Sequence, residues 1–148
     1  MSRSEIKRAI ARQATAAADE VAAVRTARDA GTLTRDGLER HLRSYILFKY
    51  RLEPEEATDA QGRAEDGLEA LAQLSLDKAL RKAPDRAVSE TISATCDGAD
   101  SVTTKQALLI MAIQRDFDVV VDGFAVAFVD TVRGLAELVW DCYGGDSR

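Results

Sequence analysis

The chain has 148 residues, of which 46% are hydrophobic and only 5% aromatic, and it carries a net charge of −5. That is enough apolar content for one buried core and too little length for two full domains. Ala, Leu and Val supply most of the hydrophobicity, while the nine Gly and two Pro mostly punctuate, so the predicted fold class is all-α.

Cys96 and Cys142 form no CxxC pair, and His41 is the single histidine. Neither a zinc cluster nor a disulfide framework is expected, and both cysteines read as free thiols. The segment Met1 to Ile10 contains Arg3, Lys7 and Arg8 and leads into no continuous apolar run. Neither a signal peptide nor a membrane span is expected, and a cytoplasmic location is the default. Charge is unevenly spread: residues 1 to 52 hold 11 Lys and Arg against 6 Asp and Glu, and the remainder holds 9 against 19. A basic front of this kind either meets an anionic surface or packs on the acidic back. Without interleaved aromatics or a reading helix, nucleic acid is not the expected partner.

In chain order, Ser4 is the expected cap of an Ala-rich helix over about 5 to 29, broken at Ala30-Gly31. Thr34 caps the next, in which Leu38, Leu42, Tyr45, Ile46 and Tyr50 recur at spacings of three and four, the signature of one buried face. Pro54 ends it. A loop over Thr58 to Gly62 precedes a third periodic stretch with Leu68, Leu71, Leu74 and Leu80, bounded by Pro84. Residues 85 to 101 are small and polar with a turn at Asp97-Gly98, reading as a loop or one short helix. A helix is predicted from Thr103 or Thr104 to Asp116, then a loop containing Gly123, then a last helix near Val132 to Cys142 and a disordered tail after Gly144. Val119 to Val121 carries strand propensity, but no partner strand is visible. No internal repeat stands out. His41, between Arg40 and Leu42, reads as solvent-facing, and Glu55-Glu56 as a solvated turn.

Phe117-Asp118-Val119-Val120-Val121 followed by Phe128-Val129-Asp130-Thr131-Val132-Arg133-Gly134-Leu135-Ala136-Glu137-Leu138-Val139 resembles the C-terminal half of acyl carrier proteins. The spacing from Phe117 to Thr131-Val132 agrees with that family without a gap. Leu109 and Ile113 stand where the family keeps second-helix core residues, and Gly98-Ala99-Asp100-Ser101-Val102 is similar to its Gly-Ala-Asp-Ser-Leu modification signature. Upstream, Tyr50-Arg51-Leu52-Glu53-Pro54-Glu55-Glu56-Ala57-Thr58 looks like the end of its first helix and the following turn. The resemblance covers about 35 to 60 and 98 to 140.

The resemblance implies an acyl-carrier-like four-helix bundle with additional helices. A helical extension at 1–33 and an inserted helical segment at about 60–97 lie outside it, the carrier-like domain being 34–143 and the tail 144–148. It implies that Ser101 accepts a covalent 4'-phosphopantetheine arm, with Asp100 beside it assisting the metal and phosphate chemistry of a phosphopantetheinyl transferase. Acyl-loading and acyl-transferring enzymes would be the other partners, and the chain itself would not be an enzyme. Counting back from Phe117 with the family's spacing falls on Thr103, so Ser101 requires two extra residues before the helix, which then begins later. Alternatively, Asp100-Ser101 simply caps that helix. Val102, Ala107 and Met111 are candidates for an apolar mouth. The helix from Thr103 carries Lys105, Gln106, Gln114 and Arg115 where carriers are usually acidic, which favours a specialised carrier. A carrier-like scaffold without the arm is the alternative. The stripe Leu42, Ile46, Leu109, Ile113, Phe117, Val132, Leu135 and Val139 is the expected core, with Leu68, Leu71 and Leu74 packed against it.

Overall fold

The structure, a computed structural model, describes residues 2–82 and 101–144. The expected turn at Asp97-Gly98, the boundary at Pro84, Cys96 and the tail after Gly144 lie outside those residues. Among the described residues the protein is all-helical, without a strand: α1 (Arg3–Asp29), α2 (Arg35–Lys49), α3 (Leu68–Lys82), α4 (Ser101–Asp116), a single turn α5 (Gly123–Val126) and α6 (Val132–Cys142). A 3-10 turn, Pro54–Glu56, lies between α2 and α3.

Side chains set the helix starts. Ser2, not Ser4, caps α1: its hydroxyl accepts from the Glu5 N–H while the Glu5 carboxylate accepts from the Ser2 N–H, a reciprocal pair written in the sequence as Ser-x-x-Glu. Thr34 caps α2 by accepting from the Gly37 N–H at 3.0 Å. Thr131 caps α6 through Gly134 in the same way at 2.9 Å. A Cβ at either glycine would lie 3.0 to 3.1 Å from the capping threonine oxygen, a close approach that glycine avoids.

The ends of α2 and α4 are built alike. Tyr50 and Phe117 close their helices with bonds to Ile46 and Ile113, and the next residues, Arg51 and Asp118, take left-handed backbone at φ 58 and 55. Leu52 and Val119 then donate back to the Leu47 and Gln114 carbonyls at 2.9 and 3.1 Å. This six-to-one closure turns the chain sharply and returns Leu52 and Val119 to the core. Pro54 therefore does not end α2; it opens the 3-10 turn after the chain has already turned.

The two helix–loop–helix units, α2 to α3 and α4 to α6, meet where their second helices begin. Leu68 donates to the Asp130 carbonyl at 2.9 Å and Val132 donates to the Asp66 carbonyl at 2.8 Å, forming an isolated antiparallel bridge between Gly67 and Thr131. The exchange is reciprocal, which gives the two segments a local two-fold relation at the bridge. Helix packing obeys the same relation, with α2 against α6 and α3 against α4. The two units thus share their helix closures and a reciprocal packing that helical periodicity in the sequence does not reveal.

One core joins the units. The eight residues expected there are all buried, together with Leu38, Tyr45, Leu68, Leu71 and Ala72, and Leu74 packs at its margin. The rear half of α1 covers α2, burying Ala17 and Val24. Val119 and Val121 face the core while Val120 is 88% exposed, an alternation made by irregular backbone rather than a strand. Basic groups of the front do meet acidic groups of the back, as in Arg35–Glu137 at 3.6 Å and Lys49–Asp116 at 3.9 Å. Arg43 holds the bridge in place by donating to the Glu65 carbonyl and the Asp66 carboxylate.

Candidate functional site

Helix α4 carries the candidate site. Its inner face, Val102, Leu109, Ile113 and Phe117, is buried at helical spacing, which fixes which way the remaining residues point. Asp100, like Gly98 and Ala99, lies outside the described residues. Ser101 is the first residue of α4, so the helix begins two to three residues earlier than predicted and Ser101 does not stand on a lengthened loop. Thr103, the alternative acceptor, is exposed in the first turn.

Val102, Ala107 and Met111 do not form one apolar mouth. Val102 points into the core at 4% exposure, whereas Met111 is 63% exposed and Ala107 is also outside. At 100° per residue, positions 102 and 111 diverge around the helix, and the inner position is already taken by packing. The outer face of α4 instead presents Ala107, Leu108 and Met111 to solvent.

One turn after Ser101, Lys105 reaches inward rather than outward. Its ammonium donates to the Ser75 hydroxyl at 3.2 Å and lies 5.7 Å from the Tyr50 ring centre, while Ser75 donates to the Tyr50 carbonyl at 2.8 Å. Burial, with a smaller contribution from the Arg51 charge, lowers the Lys105 pKa. Lys78 adds bonds of 2.6 Å to the Arg51 carbonyl and to Glu56. Glu56 is therefore held by an ion pair, not merely solvated. This polar seam between α3 and the end of α2 was not anticipated. Its signal in the sequence is Ser75, a polar residue at the next inward position after Leu68, Leu71 and Ala72.

His41 also departs from expectation: its Nδ1 lies 2.7 Å from the Glu20 carboxylate of α1, and both side chains are mostly covered. At the opposite end of α4, about 22 Å from Ser101 by helical rise, a groove of about 230 Å³ is lined by Arg25, Arg28, Asp116, Phe117, Asp118 and Tyr143. The Arg28 guanidinium stacks 4.0 Å over the Tyr143 ring there. The mixed charges make this groove polar, unlike an acyl-chain channel.

Chemically, the start of α4 is the positive end of the helix dipole, which favours an anion attached there. No group of three or more His, Cys, Asp or Glu that could hold a metal occurs among the described residues. No helix among them is long and apolar enough to cross a membrane. No family model matches the chain, and neither a curated protein nor a solved structure gives a significant match.

Proposed function

We propose that the protein is a specialised acyl carrier, modified by a phosphopantetheinyl transferase at Ser101 and serving acyl-loading and acyl-transferring enzymes without catalysing a reaction itself. What carries this reading is Ser101 at the first position of α4, a helix held to the core by Val102, Leu109, Ile113 and Phe117. The residues fit the 4'-phosphopantetheine group in chemistry: a serine to bear the phosphodiester, the positive end of a helix dipole beside it, and the short sequence Gly98-Ala99-Asp100 before it. When attached, the group supplies a thiol on a flexible arm that holds an acyl chain as a thioester. The chain's own part is to bear the phosphodiester at a helix start, where the dipole stabilises its charge, and to keep that helix rigid. Bound acyl chains would lie along the surface or in partner enzymes, since the described groove is polar and distant.

The test is intact mass after co-expression with a broad-specificity phosphopantetheinyl transferase. The wild type gains the mass of the arm, Ser101→Ala does not, and Thr103→Ala still does. Loss only on Thr103→Ala would move the attachment by two residues. A wild type that stays folded and is never modified would favour a scaffold without the arm. The exposed aromatic pair Phe124 and Phe128 is the specific observation on the side of that second reading.

A further inference from the structure

Two surfaces of the molecule are left without partners and complement one another. The first is the front half of α1. Among the side chains the structure describes, Ala17 is the first fully buried one of that helix, with roughly four turns, about 20 Å of helix by its rise, before it. The reciprocal Ser2–Glu5 cap closes the helix to its first turn, so this projecting part is formed helix rather than a frayed end. It carries Arg3, Lys7, Arg8 and Arg12 against the single acid Glu5, and none of the four basic groups is in an ion pair among the described residues. Ile10 is 38% exposed on it.

The second surface lies on and around α5. Phe124 and Phe128 are each 75% exposed and stack edge to face with ring centres 5.2 Å apart. Two phenyl rings that bury one another yet remain mostly in water retain most of their apolar surface for a partner. Asp118, Asp122 and Asp130 are exposed in the surrounding segment, and no Lys or Arg occurs between Phe117 and Val132. The result is an apolar centre in an acidic segment, the composition expected of a surface that receives a basic, weakly apolar helix.

We propose that the projecting half of α1 from one copy docks on the Phe124–Phe128 surface of a second copy. The basic side chains of the arm meet Asp118, Asp122 and Asp130, and the apolar side of the arm covers the two phenyl rings. Because arm and receptor are different surfaces, each association uses one of each, and closure into a two-fold dimer engages both pairs at once.

Sedimentation velocity over a concentration series at low and high salt tests this, with circular dichroism to verify folding. The wild type is expected to associate at low salt, weakening about tenfold or more as salt rises from about 50 to about 500 mM. Arg8→Glu/Arg12→Glu removes the arm's charge, and Phe124→Ser/Phe128→Ser removes the receptor; all four residues are exposed, and each double variant should be monomeric and folded. Mixed one to one, the two variants should form a heterodimer, because an intact arm then meets an intact receptor. A wild type that stays monomeric at all concentrations and salts overturns the proposal. So does association abolished by the phenylalanine variant but indifferent to the arginine variant, which would mean ring-to-ring contact between copies instead.

Discussion

Arg51 and Asp118 stand 67 positions apart and hold the same left-handed backbone conformation, at φ 58 and 55, each as the residue after the last aromatic of its helix. Side chains with a Cβ adopt this conformation at a cost, greater for Arg than for Asp, whose short polar group tolerates it. Arg51→Gly is therefore expected to raise stability by roughly 0.5 to 1 kcal/mol, and Asp118→Gly by less. Thermal melts of the two variants beside wild type check the order; equal losses in both would contradict it.

The two tyrosines of α2 and its cap should respond in opposite ways to loss of the hydroxyl. Tyr45 donates to the Asp116 carboxylate at 2.6 Å, whereas the Tyr50 hydroxyl is buried without a partner among the described residues. Tyr45→Phe should cost about 1.5 to 3 kcal/mol, as for a hydrogen bond to a charged group, and Tyr50→Phe should be neutral or stabilising. Chemical denaturation measures both.

Asp116 gives stability an acid-side dependence. The Arg115 hydrogen bond lowers its pKa, burial opposes that, and the Tyr45 hydroxyl adds to the lowering. A depressed pKa in the folded state means that the stabilisation is complete above the unfolded value near 3.9 and disappears as pH falls through the lower folded value. The melting difference between wild type and Asp116→Asn should be largest above about pH 5 and shrink below about pH 4. A difference that grows in acid would contradict the assignment.

Thr34 and Thr131 cap α2 and α6 with the same bond to the glycine three residues on. Replacing either with Ala should cost about 1 kcal/mol. The two caps share no partner, so the double variant should be close to the sum of the singles in equilibrium unfolding.

Leu135 is fully buried in α6. Leu135→Asp places an unpaired carboxylate there, a cost of several kcal/mol against a domain stability of similar size. Its circular dichroism at neutral pH should show an unfolded or partly folded chain.

Much of this arrangement was legible in the sequence because helix periodicity is local. Leu42, Ile46, Leu109, Ile113, Phe117, Val132, Leu135 and Val139 repeat at turn spacing, and all of them are in the core. The correspondence of the two units was not legible, and the reason is one of register. Tyr50 and Phe117 match at a separation of 67, whereas Leu68 and Val132, or Leu71 and Leu135, match at 64. The second loop is three residues shorter, so no single offset aligns both helices of the units. What the units share is burial and hydrogen bonding, carried by different side chains. The His41–Glu20 and Lys105–Ser75 pairs escaped for a different reason: each joins two helices, and periodicity along one helix says nothing of its neighbour. At the site, the early start of α4 at Ser101 was hidden because Ser, Thr and Asp suit a cap and a first turn equally well.

Because α2 leans on α6 and α3 on α4, each unit completes the other and neither completes itself. A chain severed between Lys82 and Ser101 would leave two fragments, each ending in an uncovered apolar stripe. Neither fragment should hold its helices alone, yet mixing them should restore the helical spectrum, since the bridge at Gly67 and Thr131 and the core both form between fragments. Joining the two fragments in one chain would then raise their local concentration and speed their assembly.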